Sequence, residues 1–116
     1  MTLEQLQERI RAFNDERDWG QYHSPRNLAM ALNVEAGELL ELYLWCKDDG
    51  PQPAVSEREP RVADEMADIL ILLLNLADKT GVDLLAATEA KLAKNAAKYP
   101  ASQVSGSMRK YDEYEL

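Results

Sequence analysis

Cysteine is nearly absent from this chain. Cys46 stands alone, so no internal disulfide can form, and a reducing compartment is expected. Cys46 itself reads as a small, half-buried hydrophobe rather than a nucleophile. Basic residues are outnumbered, 13 Lys and Arg against 21 Asp and Glu, for a formal net charge of −8. That balance argues against binding to a nucleic-acid polymer, which calls for a basic surface. It leaves a single nucleotide open, because a metal ion can offset the repulsion between carboxylates and phosphates. His23 is the sole histidine, and neither zinc-ligand spacing nor a glycine-rich phosphate loop is present. The longest apolar run, Ile69 to Leu74, falls far short of the roughly 20 residues that span a bilayer. The first residues carry Glu4, Glu8 and Arg9 and no apolar stretch, so no leader is expected. A cytoplasmic protein without membrane partners follows as the expectation.

What remains is helical signal. At 116 residues the chain suffices for one core but not two. Thr2 and Gln5 have capping-box spacing, and Leu3, Leu6, Ile10 and Phe13 recur at helical intervals, predicting a first helix that ends near residues 15–17. Asp18 to Ser24 is a loop carrying Trp19, Tyr22 and His23. Ser24-Pro25 then opens a second helix, expected to run to about Cys46. Asp48-Asp49-Gly50-Pro51-Gln52-Pro53 breaks it. A third helix is expected from Pro60 or Arg61 to a glycine C-cap at Gly81, and a fourth from Asp83 to about Lys98, where Tyr99-Pro100 stops it. No strand alternation, repeat or low-complexity segment appears. The predicted class is all-α, a four-helix bundle, with residues 1–100 as the domain and 101–116 as a flexible C-terminal tail. The third helix is apolar almost all round in its second half, which a small monomer cannot cover. A homodimer or homotetramer is the expectation.

Two acidic pairs organise this frame. Glu35 and Glu38 stand three residues apart in the second helix, as do Glu65 and Asp68 in the third, so each pair shares one helix face. Both pairs are embedded in apolar residues, where desolvated like charges repel. A divalent cation removes that cost, and oxygen-only ligands select a hard ion such as Mg²⁺ or Mn²⁺. Such pairs also occur as plain solvated helix faces. A helical interaction module, with its acids in salt bridges and its third helix as a docking surface, is the competing reading.

Glu35-x-x-Glu38 followed by Glu65-x-x-Asp68 resembles the metal-binding signature of the all-α, MazG-like nucleoside triphosphate pyrophosphohydrolases. Further likeness, to the dCTP pyrophosphatase subgroup, lies in Glu16 to Leu28, in Glu41-Leu42-Tyr43-Leu44-Trp45, in Lys91-x-x-x-Asn95-x-x-Lys98-Tyr99-Pro100 and in Gly106 to Tyr111. It covers nearly the whole chain. The resemblance implies cleavage of dCTP or a modified dCTP between the α- and β-phosphates, giving the monophosphate and pyrophosphate. A dUTP or broad-range triphosphate hydrolase is the nearest alternative. It further implies that Glu35, Glu38, Glu65 and Asp68 hold Mg²⁺ and serve the chemistry. Lys91, Asn95, Lys98 and Tyr99 would bind the phosphates, and Trp19, His23 and Trp45 the base. Glu41, one helical step on, is a rim charge or a ligand to a second ion. One departure stands out: Leu72 occupies a position where the subgroup often has tyrosine, which leaves the base and sugar preference open.

Overall fold

Each long helix of this chain starts or stops where a nearby side chain or glycine takes up the free backbone groups of its end. A computed structural model describes residues 1–44, 46–50 and 61–106. Helix α1 (Leu3–Glu16) is closed by the expected capping box: Thr2 accepts from the Gln5 amide, and the Gln5 side chain accepts from the Thr2 N–H at 2.8 Å. A single 3₁₀ turn, Gly20–Tyr22, follows. Helix α2 (Pro25–Tyr43) has Ser24 at its N-cap, with Oγ accepting from the Asn27 N–H at 3.1 Å, and Pro25 in its first turn. It stops short of the expected Cys46. The Leu44 and Cys46 amides turn to the Glu41 and Tyr43 carbonyls, at 3.2 and 3.1 Å, and these three-residue bonds tighten and end the helix. Leu44 is then already extended, at φ −63° and ψ 133°.

Helix α3 (Arg61–Thr80) ends as predicted at Gly81, whose φ of +71° is the left-handed conformation that glycine adopts without strain. It packs against both α1 and α2. The buried apolar side chains are Ile10 of α1, Leu28 of α2, and Val62, Leu74 and Ala77 of α3. At the α1–α3 contact, the Arg11 guanidinium pairs in two-pronged fashion with Asp78, at 2.6 and 2.8 Å. Both partners are solvated, so the pair fixes geometry more than it adds stability. The apolar run is unevenly covered among the described residues. Leu74 is only 1% exposed, whereas Leu70 and Ile71 remain 41% and 39% exposed.

These three helices belong to a compact unit spanning Met1–Gly81, and a second unit begins at Val82. The second unit holds α4 (Leu84–Lys98), capped by Asp83 accepting from the Ala86 N–H at 3.0 Å, and the short α5 (Ala101–Val104). The four main helices expected are thus all present, and no strand occurs among the described residues, so the all-α class holds. Among those residues no helix is long and apolar enough to cross a membrane.

Leu74 is the side chain on which the first unit closes. Its truncation, Leu74→Ala, is expected to cost about 2–5 kcal/mol of unfolding free energy, the range for a buried leucine whose cavity cannot fully collapse. Urea unfolding followed by circular dichroism reads this directly; a cost below about 1 kcal/mol would mean the core lies elsewhere.

Candidate active site

The packing of α2 on α3 brings three carboxylates into one place. Oxygens of Glu35, Glu38 and Glu65 all lie within 4.8 Å of one another. Glu38 is exposed, but Glu35 and Glu65 are half-buried. Each of these two hides one oxygen, Oε2, from solvent with no hydrogen-bond partner among the described residues. Such atoms are costly unless something satisfies them. The cluster responds by holding a proton. A hydrogen bond to Glu65, then burial, then the bond and charge of Glu38 push the Glu35 carboxyl up from 4.5 to about 7. A cation would satisfy the same oxygens. The donors are all carboxylate oxygens, without nitrogen or sulfur, a set that fits a hard divalent ion.

Asp68, the fourth predicted acid, is not in this close triad. It lines an adjoining concavity of about 280 Å³ together with Glu35. Its side chain is one methylene shorter than that of Glu65, on the next helical step. Glu41 is exposed and outside the cluster.

The same concavity is walled by Phe13, Trp19, His23 and Leu72. Local backbone chemistry explains how Trp19 reaches it. Beyond α1, the Asp18 N–H bonds to the Asp15 carbonyl at 3.2 Å and the Trp19 N–H to the Asn14 carbonyl at 3.1 Å. This is the paired reverse bonding of a Schellman ending, with Asp18 at φ +52° where glycine is usual. Aspartate is among the few residues that tolerate that region. The Gln21 side chain steadies it, donating to the Asp18 carbonyl and to Oδ2 at 2.9 and 3.0 Å. The apolar contact that accompanies such endings is here Trp19 on Phe13, edge-on with ring centroids 5.5 Å apart. The Arg17 guanidinium covers the Phe13 ring at 3.7 Å. Trp19 is left 44% exposed, with surface free for a flat partner. Tyr22, 64% exposed, does not line the concavity.

The predicted phosphate-binding residues all lie in the second unit. Lys91 and Asn95 line a shallow hollow on α4, and Lys98 sits 6.0 Å from the ring of Tyr99, the helix's C-cap residue. Trp45 lies outside the described residues. Sequence reasoning missed a buried polar pair, Asn14 on α1 and Asn75 on α3, both lining the concavity. The available signal was Asn75 itself, a polar residue closing the apolar run about two turns from Asp68 on the same helix face.

The comparisons with known proteins agree with one another. The model of the MazG-like family matches residues 30–114. The chain is 43% identical over 114 residues to dCTP pyrophosphatase 1 of Homo sapiens, covering 97% of this chain and 67% of that protein. It is 41% identical to dCTP pyrophosphatase 1 of Mus musculus, with the same shares covered. Among solved structures, a pyrophosphatase from Archaeoglobus fulgidus DSM 4304 is similar with a TM-score of 0.78 and 38% identity, over 84% of this chain and 92% of that one.

The raised Glu35 carboxyl makes the metal-free protein pH-dependent in a defined direction. Folded, the group binds its proton up to about 7, whereas the ordinary value is 4.5. Its contribution to stability is therefore complete below the ordinary value and is lost as pH rises through about 7. Thermal melts in chelator should show wild type losing stability across that window relative to Glu35→Gln, in which the slope is absent. A difference between the two proteins that stays flat with pH would contradict the shared proton.

Proposed function

The chain belongs to the MazG-like family, and from that premise we propose that it cleaves dCTP, or a modified dCTP, between the α- and β-phosphates to the monophosphate and pyrophosphate. The enzyme is a nucleotide pyrophosphohydrolase; the base, the ion and the individual residue roles are our reading. What supports it most is one juxtaposition. Three carboxylates with two orphaned oxygens stand beside a concavity walled by Trp19 and His23.

In this reading Glu35, Glu38 and Glu65 would hold Mg²⁺, or Mn²⁺ in its place, with Asp68 lining the adjoining concavity. The ion supplies positive charge to the triphosphate oxygens and lowers the pKa of water. Glu35 would give up its proton with a cation bound, and one of the four carboxylates would accept the proton of the attacking water. Trp19 stacks on the base and His23 sits at its rim; Trp45, the third residue assigned to the base, lies outside the described residues. Lys91, Asn95, Lys98 and Tyr99 bind the phosphates, as cationic and hydrogen-bonding groups that meet oxyanions. Residues 1–100 are taken as the domain and 101–116 as tail. A second copy of the chain would cover Leu70 and Ile71, giving a homodimer or homotetramer.

The test is a panel of dCTP, 5-methyl-dCTP and dUTP with Mg²⁺, read by release of pyrophosphate and monophosphate. Glu38→Gln should lose most turnover with helix content intact. Trp19→Ala should raise KM roughly 5- to 150-fold, the equivalent of about 1–3 kcal/mol of stacking, with kcat affected less. Preference for dUTP would move the assignment to the neighbouring activity. Release of neither product from any triphosphate would overturn it.

A further inference from the structure

Asn14 and Asn75 form a hydrogen bond of 2.9 Å, Asn14 Nδ2 to Asn75 Oδ1, between α1 and α3. Both are deeply buried, at 9% and 6% exposure, in a core otherwise built of aliphatic side chains. The bond uses one donor hydrogen of Asn14 and one acceptor site of Asn75. Asn14 Oδ1 and Asn75 Nδ2 have no partner among the described residues, although both side chains line the concavity walled by Trp19. The two amide atoms outside the bond are therefore one acceptor oxygen, Asn14 Oδ1, and one donor nitrogen, Asn75 Nδ2. With both amides turned over, Asn75 would donate to Asn14, and one donor and one acceptor would still be presented.

A purely structural link between two helices does not call for such surplus capacity. Neither Asn14 Oδ1 nor Asn75 Nδ2 is among the fully buried, unpartnered side-chain atoms of the described residues. Both side chains line the concavity, where a ligand can meet them. As a mere link, the pair could be replaced by apolar groups of similar shape at little cost. Here the surplus lines the same concavity as Trp19, which is 44% exposed. A nucleobase stacked on Trp19 brings the complementary chemistry, an edge on which a donor and an acceptor stand next to each other. In cytosine these are the exocyclic N4–H and the ring N3. Resting on the nucleotide reading above, we propose that the Asn14–Asn75 pair reads the hydrogen-bonding edge of the substrate base and sets this enzyme's base selectivity. Leu72, which presents no hydroxyl to the concavity, leaves this amide pair as a principal polar reader there. The pair are binding and selectivity residues; the reacting phosphates lie with the acidic cluster.

The experiment compares dCTP with the triphosphate of 5-nitroindole deoxyriboside, which stacks but offers no matching edge. kcat/KM is measured with Mg²⁺ for wild type, for Asn75→Asp, and for the double variant Asn14→Leu with Asn75→Leu; melting is followed in parallel. Asn75→Asp keeps the acceptor for Asn14 Nδ2 and removes the free donor. Wild type should favour dCTP by about tenfold or more, the scale set by a buried hydrogen bond left unmade. In both variants that preference should collapse through a raised KM for dCTP, with the analogue's kinetics changed far less. If the double variant loses its helical signal, Asn75→Asp carries the test alone. Variants that keep the dCTP preference while shifting only the melting temperature would overturn the proposal and leave the pair a structural link. Wild type turning over both substrates equally would overturn it while the pyrophosphohydrolase reading stands. Turnover of neither substrate, nor of any natural triphosphate, would overturn both.

Discussion

Mutual repulsion among Glu35, Glu38 and Glu65 is the constraint on which the rest of this structure depends. Packing α2 against α3, with Leu28, Val62 and Leu74 buried, brings the acids together. Three like charges within 4.8 Å, two with an unmet oxygen, are a local cost accepted by the fold. Such a cost must be relieved by a proton or a cation. Without a cation the proton is held on Glu35, up to about 7. The site is therefore poised near neutrality, where exchange of that proton for a metal ion asks least of either.

The aromatic side of the site is set by a different device. The Schellman ending of α1 fixes where the backbone turns, and Trp19 follows from that turn rather than from long-range packing. The concavity is thus lined by acids from α2 and α3, by Trp19 from a short loop and Phe13 from α1, and by Asn14 and Asn75. In the proposed reading the charge serves the triphosphate through a cation, while ring face and amide edge serve the face and edge of the base.

How much of this was legible in the sequence follows from how local each feature is. The caps at Thr2, Ser24 and Asp83 and the stop at Gly81 depend on residues within one turn, and all were readable. The end of α2 was not, because the breaker at Asp48 to Pro53 begins several residues beyond the point where the helix unwinds. The acidic pairs were legible as pairs. Their spacing could not say that Glu38 would close on Glu35 and Glu65 while Asp68 faced the concavity, since that depends on the rotation of α2 about α3. The Asn14–Asn75 bond joins residues 61 positions apart, and no local pattern announces such a contact.

The most direct measurement is calorimetric titration of Mg²⁺ into the protein at about pH 6.5, repeated in buffers of different ionisation enthalpy. If the acidic cluster exchanges a proton for the ion, binding heats will depend on the buffer. The dependence will report close to one proton released per ion at pH values below the raised Glu35 value, and Glu35→Gln will abolish it. Mg²⁺ heats that are absent, or that are the same in every buffer and unaltered by Glu35→Gln, would contradict the account at its centre.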